Sequence, residues 1–512
     1  MPNPTANPEG RRQSRLPQRF RKPKPGPLAR FWAVSAGALV VSACVAGASI
    51  PSASTPITPA EAQQGAEYHA QLLAQFGGAM NGPHADYVEM ITKNVAVHSG
   101  LGGARESFTV SLLNSPVHNA FAVPGGYVYT TRQLVTLMNN EAELAAVMGH
   151  EVGHVAARHS QRRQQAAQRN SILGVLGAIG SSILLGDSGI GDTLSRTFLQ
   201  GSQLLTLRYS RGQESEADDL GILYLTRAGY DPRAMGTVLA SLAAQNALEA
   251  RIQGRNASVP EWASTHPDPA SRVQTALGKA QGLGSGITNR DTFLSRIDGL
   301  LYGDDPKQGV IEGNRFIHPD LRLSFTAPQG FYMVNSSSAV SINGQSGQAQ
   351  LTLAPYAGDL DSYVRQQFAS IGGQNTTIAP QQMQRTTVNG LPAVYGTARV
   401  RNGNSNVDLV IFAYEFARDR AYHFAAIAPA GQAGTFNPMF QSMRRISASE
   451  ASSIVGRRID VVTVQRGDTV SSLASRMAYT SAREERFRVL NALGSSDTLR
   501  EGQKVKLVVR AR

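Results

Sequence analysis

The pentapeptide His150-Glu151-Val152-Gly153-His154 constrains this chain more than any other stretch. On a helix, a spacing of four puts both imidazoles on one face, a turn apart, where they can reach a single metal ion. Glu151 projects at the edge of that face, in position to take a proton from a water that the metal activates. The helix is itself predicted. Asn140 stands as N-cap with Glu143 three residues on, a capping-box arrangement, and the apolar positions Leu144, Val147 and Met148 follow toward about His159. By composition alone the pattern arises in roughly one chain per hundred of this size, so it needs support from elsewhere.

A tetrahedral catalytic zinc requires a third protein ligand and one open vertex. Glu214-Ser215-Glu216-Ala217-Asp218 offers that ligand from a second predicted helix, over 214–228. Glu214 and Asp218 are four apart and share a face. Glu214 is assigned to Zn2+, one ion per chain, and Asp218 to holding a ligating imidazole by its other ring N–H. Glu216 points elsewhere on this helix, and His159, five residues past His154, falls off the metal-binding face and reads as structural. The chain has one cysteine, Cys44, far from this arrangement.

The 512 residues predict roughly two to four domains. Apolar residues at 41% and charged residues at 17% exclude a disordered or collagen-like chain, and a mean hydropathy of −0.21 excludes a polytopic membrane protein. The net charge of +12 is concentrated at the start, where residues 1–30 hold eight Lys/Arg against one Glu. No basic stripe with interleaved aromatics is present, which argues against nucleic acid as a partner. The basic start precedes an uncharged segment, 31–50, as in an exported or membrane-anchored chain whose remainder faces away from the cytoplasm. Val41-Ser42-Ala43-Cys44 resembles a bacterial lipobox and makes Cys44 a candidate lipidation site. An uncleaved anchor, or cleavage near Ala60-Glu61-Ala62, is the alternative.

After a polar linker at 51–64, helical spacing over 67–97 is broken at Asn81-Gly82-Pro83. Two strands are expected at 108–113 and 120–129, the second turning at Pro124-Gly125-Gly126. An apolar run at 172–185 is expected to form a buried or interfacial helix. Between 316 and 443 short β-rich runs alternate with Gly/Asn/Ser turns around one helical stretch at 361–371.

Residues 110–272 resemble the zinc metallopeptidase family that includes HtpX and the CAAX-processing peptidases, most closely its BepA-like periplasmic branch. Five blocks in order carry the resemblance: Asn119-Ala120-Phe121-Ala122-Val123-Pro124-Gly125-Gly126; Glu143-Leu144-Ala145-Ala146-Val147; His150 to His154 with Val155 and His159; Tyr209-Ser210-Arg211 before Glu214; and Thr265-His266-Pro267 with Arg272. The resemblance implies a gluzincin fold and the ligand order His150, His154, Glu214. It also implies that the strand holding Asn119, Ala120 and Phe121 is a sheet edge on which substrate backbone pairs. For His266 it implies a site role, either as an auto-inhibitory fourth ligand or as a transition-state stabiliser. Arg272 either pairs structurally or faces the substrate carbonyl.

Val462-Thr463-Val464-Gln465-Arg466-Gly467-Asp468-Thr469-Val470, with Leu473-Ala474, Leu490-Asn491 and Glu501-Gly502-Gln503, resembles a LysM module, which implies a peptidoglycan tether. The 309–449 region resembles PsbP-like sandwiches in strand pattern. The expected fold class is therefore α+β and multidomain: 1–30 basic region, 31–50 signal or anchor, 51–64 linker, 65–302 mainly helical zincin protease domain with a small edge sheet, 309–449 α/β sandwich-like domain, 450–458 linker, and 459–510 βααβ LysM-like module. The function expected is a zinc metalloendopeptidase of the bacterial cell envelope, facing the periplasm, acting on unfolded or misassembled exported polypeptides. A wall-tethered chaperone-like or scaffold lipoprotein with a self-inhibited zinc site is the alternative, and peptidoglycan hydrolysis a third reading resting on the LysM-like module alone.

Overall fold

A computed structural model describes residues 55–163, 165, 209–253, 266, 268–372, 378–402 and 405–511. The basic start, the apolar segment with Cys44 and the run at 172–185 lie outside the described residues. Among the described residues no helix is long and apolar enough to cross a membrane.

The first ordered element corrects the expectation of a linker over 51–64. Helix α1, Pro59–Gln75, begins inside it, started by a full capping box between Thr58 and Glu61. Glu61 is also buried against Arg158, whose Nε donates to its Oε1 at 2.9 Å, so a polar-looking stretch is fixed by a buried ion pair. Helix α2, Pro83–Ala96, starts where Gly82, at φ +89°, precedes Pro83.

Strands β1 (Thr109–Leu113), β2 (Ala120–Val123) and β3 (Tyr127–Thr131) form a sheet in the order β1-β3-β2. The segment 120–129, expected as one strand with a turn in it, is a hairpin, because Gly125 and Gly126 both take positive φ. This leaves β2 as an outer strand. Helices α3 (Arg132–Leu137), α4 (Glu141–Ala156), α5 (Arg211–Arg227), α6 (Ala234–Gln253), α7 (Pro269–Ala280) and α8 (Arg290–Ile297) follow. Helices α2, α4, α5 and α6 meet in one buried core through Val88, Ile91, Val152, Ile222 and Leu239.

The next region is a sheet-on-sheet layer. Strand β4 (Leu301–Tyr302) comes first and belongs elsewhere. Strands β5 (Val310–Glu312), β6 (Arg315–His318) and β7 (Leu323–Thr326) then build a small sheet with β15 (Arg444–Arg445). The seven-stranded sheet comprises β8 (Tyr332–Asn335), β9 (Val340–Gly344), β10 (Gly347–Leu353), β11 (Gln382–Val388), β12 (Leu391–Asn402), β13 (Ser405–Ala417) and β14 (Arg420–Pro429), and β8 ends it. Phe316 and Phe325 of the small sheet pack on Phe412 and Phe424 of the large one, while α9 (Leu360–Gly372) covers the other face through Val364 and Phe368. Short helices α10 (Asn437–Ser442) and α11 (Ala448–Ser453) follow. The second expected linker, 450–458, is also ordered structure: Glu450 pairs with Arg444 at 2.6 Å, and β16 (Arg457–Thr463) begins within it.

The last segment is β16, α12 (Val470–Ser475), α13 (Arg483–Leu490) and β17 (Lys504–Arg510), a βααβ order. It is not an independent bead. Strand β4 pairs with β16, giving the sheet order β17-β16-β4. Lys506, with no exposed surface, donates Nζ to the carbonyls of Thr136 (2.9 Å), Leu137 (3.3 Å) and Met138 (2.5 Å) at the end of α3. A buried lysine thus caps the helix that leads into α4.

Candidate metal centre

Helix α4 is placed by Asn140, whose side chain accepts from the Glu143 N–H at 2.9 Å. The Glu143 carboxylate turns back to the N–H of Asn139 at 2.7 Å, one residue earlier than a capping box requires. Helix α5 starts with a complete box between Ser210 and Gln213. The two helices approach closely because small residues line their seam. A Cβ on Gly153 would lie 3.1 Å from the Ala217 carbonyl oxygen, and one on Gly221 would lie 3.0 Å from the His150 nitrogen. Gly149 and Gly153 on one helix, and Ala217 and Gly221 on the other, recur at four residues, so the thin stripe runs beside the polar face on each.

That approach brings His150, His154 and Glu214 together with His266, and one donor atom from each lies within 4.8 Å of all the others. His154 Nε2 is 3.0 Å from His150 Nε2, and His150 Nε2 is 3.3 Å from His266 Nδ1. Glu214 Oε1 is 3.5 Å from His154 Nε2 and 3.1 Å from His266 Nδ1. Donors bound tetrahedrally at ~2.0–2.1 Å sit about 3.3–3.5 Å apart, so these spacings fit one ion the size of zinc. Glu151 is beside the quartet, with Oε1 3.4 Å from His266 Nε2.

Supporting groups hold each ligand. Asp218 Oδ1 lies 3.0 Å from His150 Nδ1, the nitrogen turned away from the quartet. Arg272 joins two carboxylates, donating Nε to Asp218 Oδ2 at 2.9 Å and Nη1 to Glu214 Oε2 at 2.5 Å. His159 Nδ1 is 2.8 Å from His154 Nδ1, and its Nε2 is 3.1 Å from Glu216 Oε2. Tyr209 stacks on the His154 ring with centroids 3.8 Å apart. All four donors, and Glu151, are buried.

Burial sets the protonation pattern. It lowers His150 and His154 into the neutral, electron-pair-donating form. Burial pushes the Glu151 carboxyl up to about 8, near the range where a group exchanges protons at neutral pH. For Glu214 burial acts in the same direction, but His266 and His154 overcome it and hold this carboxylate far below its usual range.

Each residue predicted for the metal is therefore in the cluster, and Asp218 stands behind His150. Arg272 pairs with Glu214 and Asp218, the structural one of its two expected roles. The readings of His159 and Glu216 require correction: both belong to the chain of contacts behind His154. Tyr209 was quoted only as a motif residue, and nothing in its spacing pointed to the ring stack. Asn119 and Ala120 lie at the start of β2, with Phe121 facing Phe76 of the α1 end at 5.2 Å. Asn119 is buried, and neither polar atom of its side chain has a hydrogen-bond partner. A small cavity of about 10 Å³ is walled by Ala122, Pro124, His154 and Tyr209, so the outer strand and a donor imidazole border the same space.

Residues 84–280 match the family model described as Peptidase family M48, and residues 462–508 match that of the LysM domain. The chain carries a peptidase family M48 domain and a LysM domain. The metal cluster up to Arg272 falls inside the M48 match. Similar proteins include the beta-barrel assembly-enhancing protease of Escherichia coli O157:H7, 32% identical over 249 residues, 48% of this chain and 49% of that protein. The protein of the same name from Yersinia pestis is 36% identical over 210 residues, 39% of this chain and 41% of its own length. Mitochondrial metalloendopeptidase OMA1 of Arabidopsis thaliana is 33% identical over 166 residues, 32% of this chain and 30% of its own length. The chain spans about half the length of the first of these relatives or less.

Proposed function

We propose that this protein is a zinc-dependent endopeptidase of the bacterial cell envelope that cleaves extended segments of unfolded or misassembled polypeptides. The observation that carries the reading is the buried convergence of His150, His154, Glu214 and His266 with Glu151 alongside. Two imidazoles and a carboxylate suit zinc, and the M48 match fits a metal-dependent peptidase. When bound, the ion would lower the pKa of water and polarise the scissile carbonyl.

The remaining chemistry belongs to the chain. Glu151 accepts the proton of the attacking water and passes it to the leaving amine, a task its raised pKa suits. Asp218 and Arg272 orient His150, while His159, Glu216 and Tyr209 fix His154, so neither ring has to reorganise during the reaction. Substrate is held as a strand on β2, whose outer edge is free among the described strands, and backbone pairing of that kind suits extended chains of varied sequence.

His266 is read as the fourth donor that closes the site at rest, because its Nδ1 stands in the quartet at 3.1 Å from Glu214. This same contact favours the second reading, a scaffold whose site stays shut. The LysM domain and the basic-then-apolar start support a wall-associated, periplasm-facing location, with peptidoglycan as tether and the 31–50 segment or a lipid on Cys44 as membrane attachment. The printed name of the beta-barrel assembly-enhancing relatives suggests exported outer-membrane proteins as the substrate class.

The test is hydrolysis of casein and of an unfolded outer-membrane protein by the wild type, Glu151→Gln and His266→Ala, with and without a zinc chelator. Chelator-sensitive cleavage, lost in Glu151→Gln and raised in His266→Ala, is expected. If no variant cleaves either protein, the scaffold reading replaces this one.

A further inference from the structure

A second concavity lies away from the metal, where the M48 domain meets the sandwich region. Its volume is about 190 Å³. The walls are the end of α1 (Gln75, Phe76), the loop Asn114 to Val117 that leads into β2, and strands β8, β9 and β10. Eleven of its sixteen lining residues are Asn, Gln or Ser, and none is ionisable. Such a wall offers neutral donors and acceptors together, the pattern that peptide groups match, and gives nothing to a charged headgroup or phosphate. Pro116, Val117 and Val334 add apolar surface between the polar groups, and Val334 is 37% exposed.

Three features favour an extended polypeptide as the occupant. First, β8 is the terminal strand of its sheet, and its Val334 and Asn335 line the groove, so a sheet edge borders the space. Second, Asn335 is buried and gives both Nδ2 hydrogens to the carbonyls of Gln308 and Gly309, while its Oδ1 has no partner. An unmet buried acceptor in the wall is a site for an incoming N–H. Third, the groove continues the β2 edge. A chain laid antiparallel on β2 leaves it at the Ala120 end, and Ser115 to Val117 stand only three to five residues earlier, about 10–17 Å of extended backbone. A sugar is less well served. The one aromatic ring in the lining, Phe76, is buried against Phe121 and offers no open face for stacking.

We propose that this groove is a second seat for the polypeptide that β2 holds, gripping the stretch C-terminal to the scissile bond through backbone pairing with β8 and the surrounding carboxamides. The inference rests on the reading of β2 as the substrate edge. It makes the protein a reader of chain length: a substrate must stay extended for about four to six residues beyond the cut to span both edges, which a folded or short chain does not do.

The test uses the full chain and peptides built on the main casein cleavage site, with a fixed N-terminal flank and C-terminal flanks of about three to about eight residues. Wild-type kcat/KM is expected to rise about tenfold across the series. Gln350→Trp and Ser341→Trp, which fill the groove from β10 and β9, should flatten the series while leaving the shortest peptide unaffected. A flat wild-type series, a rise that survives both variants, or an equal loss on shortest and longest peptides overturns the groove's role.

Binding separates this proposal from the catalytic one. Fluorescence anisotropy of the longest peptide on Glu151→Gln needs no turnover, and a groove substitution added to that background should weaken binding about tenfold. Should the wild type cleave nothing, that measurement still decides the groove. Displacement of the peptide by a chitooligosaccharide, abolished by Gln350→Trp, would overturn the polypeptide in favour of a glycan.

Discussion

Gly221→Ala tests the claim that a thin helix seam assembles the metal site. The new Cβ would lie 3.0 Å from the His150 nitrogen and 3.2 Å from its Cα, and 2.7 Å from Met235 Cε. The methionine end can swing away, but the His150 backbone is part of α4 and cannot. Carbon and nitrogen neighbours relax at ~3.5–4.0 Å, so α4 and α5 must separate by about 0.5 Å. Overpacking of this kind costs about 1–3 kcal/mol, offset by up to about 1 kcal/mol from replacing a mid-helix glycine. The net loss is about 1–2 kcal/mol. The larger effect falls on the metal, since Glu214 and Asp218 ride on α5 while both histidines ride on α4. A shift of about 0.5 Å is at the limit a site tolerates, and affinity should fall about tenfold or more. Urea unfolding in the presence of chelator reads the first quantity, and competition with a chromophoric chelator reads the second. Gly278→Ala is the control: it sits in α7, where an added Cβ meets nothing within 4 Å, and should gain up to about 1 kcal/mol with no change in metal binding. If Gly221→Ala behaves as Gly278→Ala does, the seam does not position the ligands.

Glu151→Gln should lower cleavage by about 10²–10⁴-fold while zinc still binds, checked by kcat alongside metal analysis. Asp218→Asn should weaken zinc affinity about 10–100-fold, measured by chelator competition, because it loosens the support behind His150. Lys506→Met should cost about 2–3 kcal/mol in urea unfolding by leaving carbonyls of Thr136 to Met138 unpaired, and a loss below ~0.5 kcal/mol would contradict the cap. Burial holds the His423 imidazole down at about 4, with Nδ1 2.8 Å from the Tyr363 hydroxyl. A depressed histidine gives stability present above its unfolded pKa of about 6.5 and lost as pH falls toward 4, by about 3 kcal/mol over that window. His423→Phe should remove this part of the acid slope in pH-dependent unfolding, and an unchanged slope would show that His423 does not titrate with unfolding.

The metal residues were legible because helical periodicity is a local property. Four-residue spacings put His150 with His154 and Glu214 with Asp218, whatever surrounds them. His159 was misplaced for an equally local reason. Extending the helix to His159 projects that ring off the metal-binding face, but α4 stops at Ala156, and Arg158 takes φ +53°. The reversal turns His159 back onto His154. Glu216 followed the same error, since its partner had been set aside. The 51–64 segment read as a linker because its composition is polar, whereas the Glu61–Arg158 pair that orders it joins residues 97 apart in sequence.

Sequence alone determined which side chains can ligate, the hairpin glycines, the two domain types and the βααβ order, all properties of spacing within short windows. Tertiary structure decided that α4 and α5 meet along glycine and alanine, that β2 and β8 are left as outer strands, and that the LysM segment is joined to the M48 domain through β4 and Lys506. Those outcomes depend on how closely distant backbones approach and on which strand edges find a partner, quantities that no local window of residues encodes.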